Sequence, residues 1–149
     1  MVNRSGTTTG KHPVRTAAQV SGVVFLLIGI LGFIPGITSD FDTMKFAGHE
    51  SEAKLLGVFQ VSILHNLVHL AYGVAGLALG RTVSGARAFL IGGGAIYLVL
   101  WLYGLVVADH DSAANFVPLN TADNWLHLFL AVSLIGLGLA LTRRPAGRR

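Results

Sequence analysis

Four apolar runs, at 17–36, 61–80, 88–108 and 122–142, take up more than half of the chain. Each has about the 20 residues that a helix needs to cross the hydrocarbon of a bilayer. In that solvent a backbone satisfies its own polar groups only as a helix or a closed barrel. Nothing in the sequence reads as a strand, so the expected fold is all-α, a polytopic membrane four-helix bundle. Composition points the same way: of 149 residues, 52% are hydrophobic and 12% charged, about half the charge of ordinary soluble domains. The first run, "AAQVSGVVFLLIGILGFIPG", is longer than a signal-peptide core and no A-x-A pattern follows it, so it reads as a retained span that Pro35 and Gly36 end. Cysteine is absent, which excludes disulfides, thiolate metal sites and thiol-based redox chemistry.

The charges divide by side. Arg4, Lys11 and Arg15 precede the first run, Arg81 and Arg87 join the second to the third, and Arg143, Arg144, Arg148 and Arg149 follow the fourth, making nine of the eleven basic residues. All seven acids (Asp40, Asp42, Glu50, Glu52, Asp109, Asp111 and Asp123) fall on the other side. The excess of basic residues in cytoplasmic loops then predicts a multi-pass protein of the cell membrane with both termini cytoplasmic. A cytoplasmic tail at 1–16 and a basic tail at 143–149 flank the membrane domain at 17–142. The pI near 10 follows from this topology, and nucleic acid is not an expected partner; the lipid bilayer is, with a larger membrane complex or a homo-oligomer left open. In the longer outer loop, "SEAKLLGVFQ" at 51–60 reads either as a short interfacial helix or as a plain connector leaning on the bilayer.

The second and fourth runs echo one another. At an offset of 58 residues, Asn66-x-x-His69-Leu70 matches Asn124-x-x-His127-Leu128, with Val74/Val132, Leu79/Leu137 and Gly80/Gly138 following. The expected arrangement is a 2+2 parallel internal repeat about an axis along the membrane normal. Gly32-x-x-x-Gly36 and Gly76-x-x-x-Gly80 have the small-residue spacing of close helix contacts. Gly92-Gly93-Gly94 lies within a span and reads as packing, because a phosphate loop needs a strand before it.

The stretches "LLGVFQVSILHNLVHLAYGVAGL" (55–77) and "NFVPLNTADNWLHLFLAVSLIGLGL" (115–139) resemble a known family, the bacterial four-span membrane proteins catalogued as domain of unknown function 4383. The resemblance covers roughly 17–142; it implies a fold and a membrane location and brings no activity or ligand with it. Where that family leads one to expect Asn-Pro before Leu-His-Asn, this chain has Ser62-Ile63, without the proline that marks a first helical turn.

Polar side chains inside a bilayer are functional candidates by default. Asn66, His69, Tyr72, Asn124 and His127 form an expected interhelical polar cluster or ligand site in the first turns of two spans that start outside. Three readings compete. In the first, the cluster is interhelical glue, Asn66 bonding His127 and Asn124 bonding His69. In the second, His65 and His69, an i,i+4 pair, chelate a divalent metal, with Asp123 or His127 completing three or four ligands. In the third, His69 and His127 hold haem b, or the same place takes a quinone or a lipid headgroup. Enzyme readings do poorly: no Asp or Glu lies mid-span to couple transport to protons, and nothing marks Ser62, beside His65 and Asp123, as a nucleophile. The sequence favours a small non-enzymatic structural or accessory component, with a metal- or haem-binding redox protein as the alternative.

Overall fold

The computed structural model describes residues 12–108 and 113–141. Arg4, Lys11, Asp109, His110, Asp111 and the four C-terminal arginines, on which much of the charge argument rests, lie outside them. Four helices carry the described chain: α1 (Pro13–Leu31), α2 (Ile63–Leu79), α3 (Val83–Val107) and α4 (Thr121–Ala140). Three of these, α1, α3 and α4, are long and apolar enough to cross a membrane, while α2 has 17 residues. At about 1.5 Å per residue, α2 spans roughly 25 Å, close to the hydrocarbon thickness of about 30 Å.

The helix ends follow local chemistry. Pro13 opens α1 at a position where its missing N–H costs nothing. The helix stops at Leu31, earlier than Pro35 implied, because the Thr38 hydroxyl turns back to donate to the Leu31 and Gly32 carbonyls at 3.1 and 3.2 Å. For α2, the Ser62 side chain accepts from the His65 amide at 3.1 Å, so a serine cap does the work expected of a proline. Thr82 caps α3 in the same way, placing Arg87 in the helix, where the sequence had put it in a connecting loop. A capping box starts α4: the Asn120 side chain accepts from the Asp123 amide, and the Asp123 carboxylate accepts from the Asn120 amide.

The segment between α1 and α2 corrects the all-helical expectation. It holds a small antiparallel sheet in the order β1 (Thr38–Ser39), β2 (Lys54–Leu55), β3 (Phe59–Gln60), with Thr38 opposite Leu55 and Leu55 opposite Phe59. Of the two readings of 51–60, the interfacial helix does not form, and the connector is a hairpin. Leu56 (φ 54°) and Gly57 (φ 71°) turn it through the left-handed region, where glycine costs least. Its apolar residues divide between the faces: Leu55 and Val61 are buried, and Leu56 is 65% exposed at the tip.

The helices are packed with small residues inside and large apolar ones outside. In α1, Ala18, Gly22 and Gly29 face inward while Val20, Val23, Val24, Leu27 and Ile30 face out. Val106 is 73% exposed and Phe129 66%, yet Asn66, His69, Asp123, Asn124 and His127 are buried. A water-soluble protein shows the opposite order; lipid accepts this one. Contacts are most extensive between α1 and α2 and between α3 and α4. A Cβ on Gly22 would lie 2.8 Å from the Gly73 carbonyl, and one on Gly94 would lie 3.0 Å from the Ala131 carbonyl, so both pairs approach at glycine. In the sequence's glycine pairs, Gly76 does pack against Gly22, whereas Gly36 lies beyond α1 in a turn at φ 90°.

Candidate ligand site

The site lies at the N-terminal ends of α2 and α4, beneath the sheet. Helical spacing stacks His65 on His69, one turn apart, with ring centroids 4.6 Å apart and planes inclined by 4°. A row of rings crosses the molecule from there. Phe25 meets His69 (5.7 Å, 57°) and stacks on Tyr97 (5.6 Å, 9°), and Tyr97 meets His127 (5.3 Å, 52°). Tyr72 points its edge at both central rings, at 5.1 Å from Phe25 and 5.4 Å from Tyr97. Phe25 and Tyr97 thus separate the two histidine-bearing helices, and the sequence reading had named neither.

The asparagines do not form the reciprocal bonds to histidine that the glue reading expects. Each is pressed instead against a glycine of the adjoining helix. A side chain on Gly32, at the end of α1, would collide with the Asn66 amide, and one on Gly104 of α3 would collide with the Asn124 amide. The physical cause is proximity. Each asparagine faces the helix it packs on most closely, and the glycine there leaves no room for anything larger. Asn66 Nδ2 finds only the sulfur of Met44, at 3.9 Å.

Buried polar atoms are left over. Nδ1 of His65, His69 and His127, Oδ1 of Asn66 and Asn124, the Tyr72 hydroxyl and Trp101 Nε1 have no hydrogen-bond partner among the described residues. Asp123 differs, because its Oδ2 accepts from the Gln60 amide at 2.9 Å as well as from Asn120, tying β3 to α4. The Asn120 Nδ2 group adds a second tie by donating to the Val58 carbonyl at 2.7 Å. Among the described residues, no three His, Cys, Asp or Glu side chains converge as a metal-holding group, so His65, His69, Asp123 and His127 are buried neighbours without a common centre.

Two cavities meet at the imidazoles. One, of about 180 Å³, lies between α2 and α3 under Phe116 and Val117, and is lined by His65, His69, Tyr72, Tyr97 and His127 among apolar residues. The other, of about 260 Å³, lies between α1 and α4 under the hairpin, and is lined by Ile28, Leu126, Leu130 and Asp123 together with His65, His69 and His127. Neutral imidazoles and a phenol donate and accept hydrogen bonds without carrying charge. The arrangement is therefore suited to holding a polar group that has left water.

Residues 15–140 match the family described as domain of unknown function DUF4383. The chain belongs to that family. No curated protein and no solved structure matches it.

Proposed function

We propose that this chain is a small, non-enzymatic component of the cell membrane that crosses the bilayer four times and binds a small lipid-soluble ligand at its His/Asn cluster. One observation carries the reading: the Nδ1 atoms of His65, His69 and His127, residues that line both cavities, are buried yet bonded to nothing among the described residues. Glue works by making hydrogen bonds, and these groups make none between the helices. An unsatisfied buried polar group costs roughly 1–3 kcal/mol, and a ligand that supplies the partner offsets that cost.

The 2+2 arrangement is part of this reading, and its support extends beyond the Asn-x-x-His echo. At the offset of 58, the buried set of α2 (His65, Asn66, His69, Gly73, Gly76) falls on Asp123, Asn124, His127, Ala131 and Leu134, all buried in α4. At an offset of 72, Val14, Ala18, Gly22 and Phe25 of α1 fall on Ala86, Leu90, Gly94 and Tyr97, all buried in α3. The Phe25–His69 and Tyr97–His127 contacts then correspond, as do the Gly32–Asn66 and Gly104–Asn124 contacts. An axis along the membrane normal, passing between Phe25 and Tyr97, accounts for all four. In this frame the cluster lies at the outer face and both termini are cytoplasmic, as the basic residues imply.

Two experiments test the proposal. Reporters fused after Arg144 and inserted near Asp111 should read cytoplasmic and outside respectively; a cytoplasmic 109–121 loop overturns the orientation. Protein purified in nanodiscs should carry a small molecule, found by mass spectrometry of an organic extract, that a His69→Leu/His127→Leu double variant lacks. Identical extracts from the two proteins would refute the ligand. A haem absorption band or stoichiometric metal would replace it with the redox reading.

A further inference from the structure

The cavity between α2 and α3 narrows the chemistry of the ligand. We infer that it receives, sideways from the bilayer, the head of a neutral ring-bearing lipid of the quinone or quinol class; this rests on the ligand-binding reading above. The proposal concerns binding alone.

Charge comes first. Among the described residues, the lining of this cavity includes no Asp, Glu, Lys or Arg. A charged head moved there from water would find no counter-charge, at heavy cost in a low dielectric. Phosphate, carboxylate and ammonium heads are therefore disfavoured. The cavity between α1 and α4 differs by the carboxylate of Asp123.

Hydrogen bonding comes next. His65, His69 and His127 line the space and are 8%, 7% and 4% exposed, each with an Nδ1 unpartnered among the described residues, and Tyr72, which also lines it, has a buried hydroxyl over Gly93 that is likewise unpartnered. A neutral imidazole has one donor and one acceptor nitrogen, and a phenol is both. Such a set satisfies a carbonyl by donating and a hydroxyl by accepting, so it serves a quinone and its quinol alike.

Shape and access complete the argument. Tyr72, Tyr97, Phe116 and the stacked His65–His69 pair surround the space with ring faces and edges, the surroundings in which another ring packs well. About 180 Å³ is below the roughly 300–1,000 Å³ of pockets that enclose a whole drug-sized ligand. One ring with small substituents fits, and a long tail must leave. Val68 and Ile96, 50% and 53% exposed, form apolar lips where it can do so. At the corresponding places of the other cavity, Asp123 stands for His65 and Leu130 for Tyr72, and Leu55, Leu56 and Phe59 of the hairpin line that space.

Titration calorimetry of the full chain in phosphatidylcholine nanodiscs tests this, with decylubiquinone, its reduced quinol and oleate as probes. Quinone and quinol should bind saturably, one per chain, and oleate more weakly. Tyr72→Phe and His69→Leu should each weaken quinone binding by about tenfold, the loss expected for one buried hydrogen bond. Ile96→Trp, at the lip, should abolish binding, and Leu126→Trp, in the other cavity, should leave it unchanged; if Ile96→Trp does not fold, Val68→Phe at the opposite lip replaces it. Binding lost in Leu126→Trp and kept in Ile96→Trp would place the ligand in the other cavity. Oleate binding more tightly than quinone would overturn the neutral head. Both of those outcomes sink this inference while the ligand-binding reading stands. No saturable binding of any probe, together with identical extracts from wild type and the double histidine variant, sinks both.

Discussion

The α1–α2 pair and the α3–α4 pair are packed by the same means and finished differently. In each, a glycine lies under an asparagine and an aromatic ring of the first helix meets a histidine of the second. The connections diverge. A sheet and a hairpin occupy 38–60 in the first pair, while in the second a short loop is braced by Asn115, whose side chain bonds both backbone groups of Leu119. Two positions inside the cluster diverge as well: His65 against Asp123, and Tyr72 against Leu130. Packing tolerates little change because backbones touch at glycine. Side chains facing a cavity are free to differ, and Asp123 lines one of the two cavities while Tyr72 lines the other.

The close approaches at glycine offer the largest effect and the sharpest comparison. A methyl on Gly22 meets the backbone of Gly73 and Leu77 at 2.8 and 2.9 Å, whereas on Gly94 it meets the Ile135 side chain first, at 2.6 Å, and the Ala131 carbonyl and Ile135 amide nitrogen at 3.0 Å. Overpacking against backbone forces the helices apart, and Gly22→Ala is expected to cost about 3 kcal/mol. Gly94→Ala should cost less, about 2 kcal/mol, because Ile135 can change rotamer and the backbone there must give by less. Thermal unfolding in detergent measures both, and equal costs would mean that the two contacts are equally rigid.

Asp123 tests the divergence within the cluster. At the offset of 58 it falls on His65, and its carboxylate holds the Gln60 and Asn120 amides. Asp123→Ala should destabilise by about 2 kcal/mol, the cost of leaving buried donors unpaired, and should raise hydrogen exchange at the Gln60 amide. His65→Ala should leave Gln60 exchange unchanged. Faster exchange at Gln60 in both variants would mean that the sheet depends on the whole cluster and not on the carboxylate.

The smallest effect is expected at the asparagines. Their Oδ1 atoms are unpartnered, so Asn66→Ala and Asn124→Ala remove packing more than hydrogen bonds, and each should cost about 1 kcal/mol, near the value of polar contacts between membrane helices. The two costs should agree within about 0.5 kcal/mol, the scatter of independent sites. A large loss at one alone would break the equivalence of the pairs.

Much of this was legible in the residues. The apolar runs located four helices to within a few residues, because a helix in or near lipid is specified by a local property, the continuous hydrophobicity of about 20 residues. The Asn-x-x-His echo marked the buried face of α2 and α4, because a 3.6-residue period assigns faces without knowledge of neighbours. Tertiary structure alone decided what those faces meet. Gly32 and Gly104 beneath the asparagines, and Phe25 and Tyr97 between the histidines, lie in other parts of the chain. The sheet escaped detection because strands of two residues have no period, and Leu55, Leu56, Val58 and Phe59 suit a hairpin or a helix equally until Gly57 turns the chain. That the imidazole Nδ1 and amide Oδ1 atoms lack partners among the described residues is a matter of distances between helices, which glycine contacts far apart in the chain impose, and no local pattern encodes them.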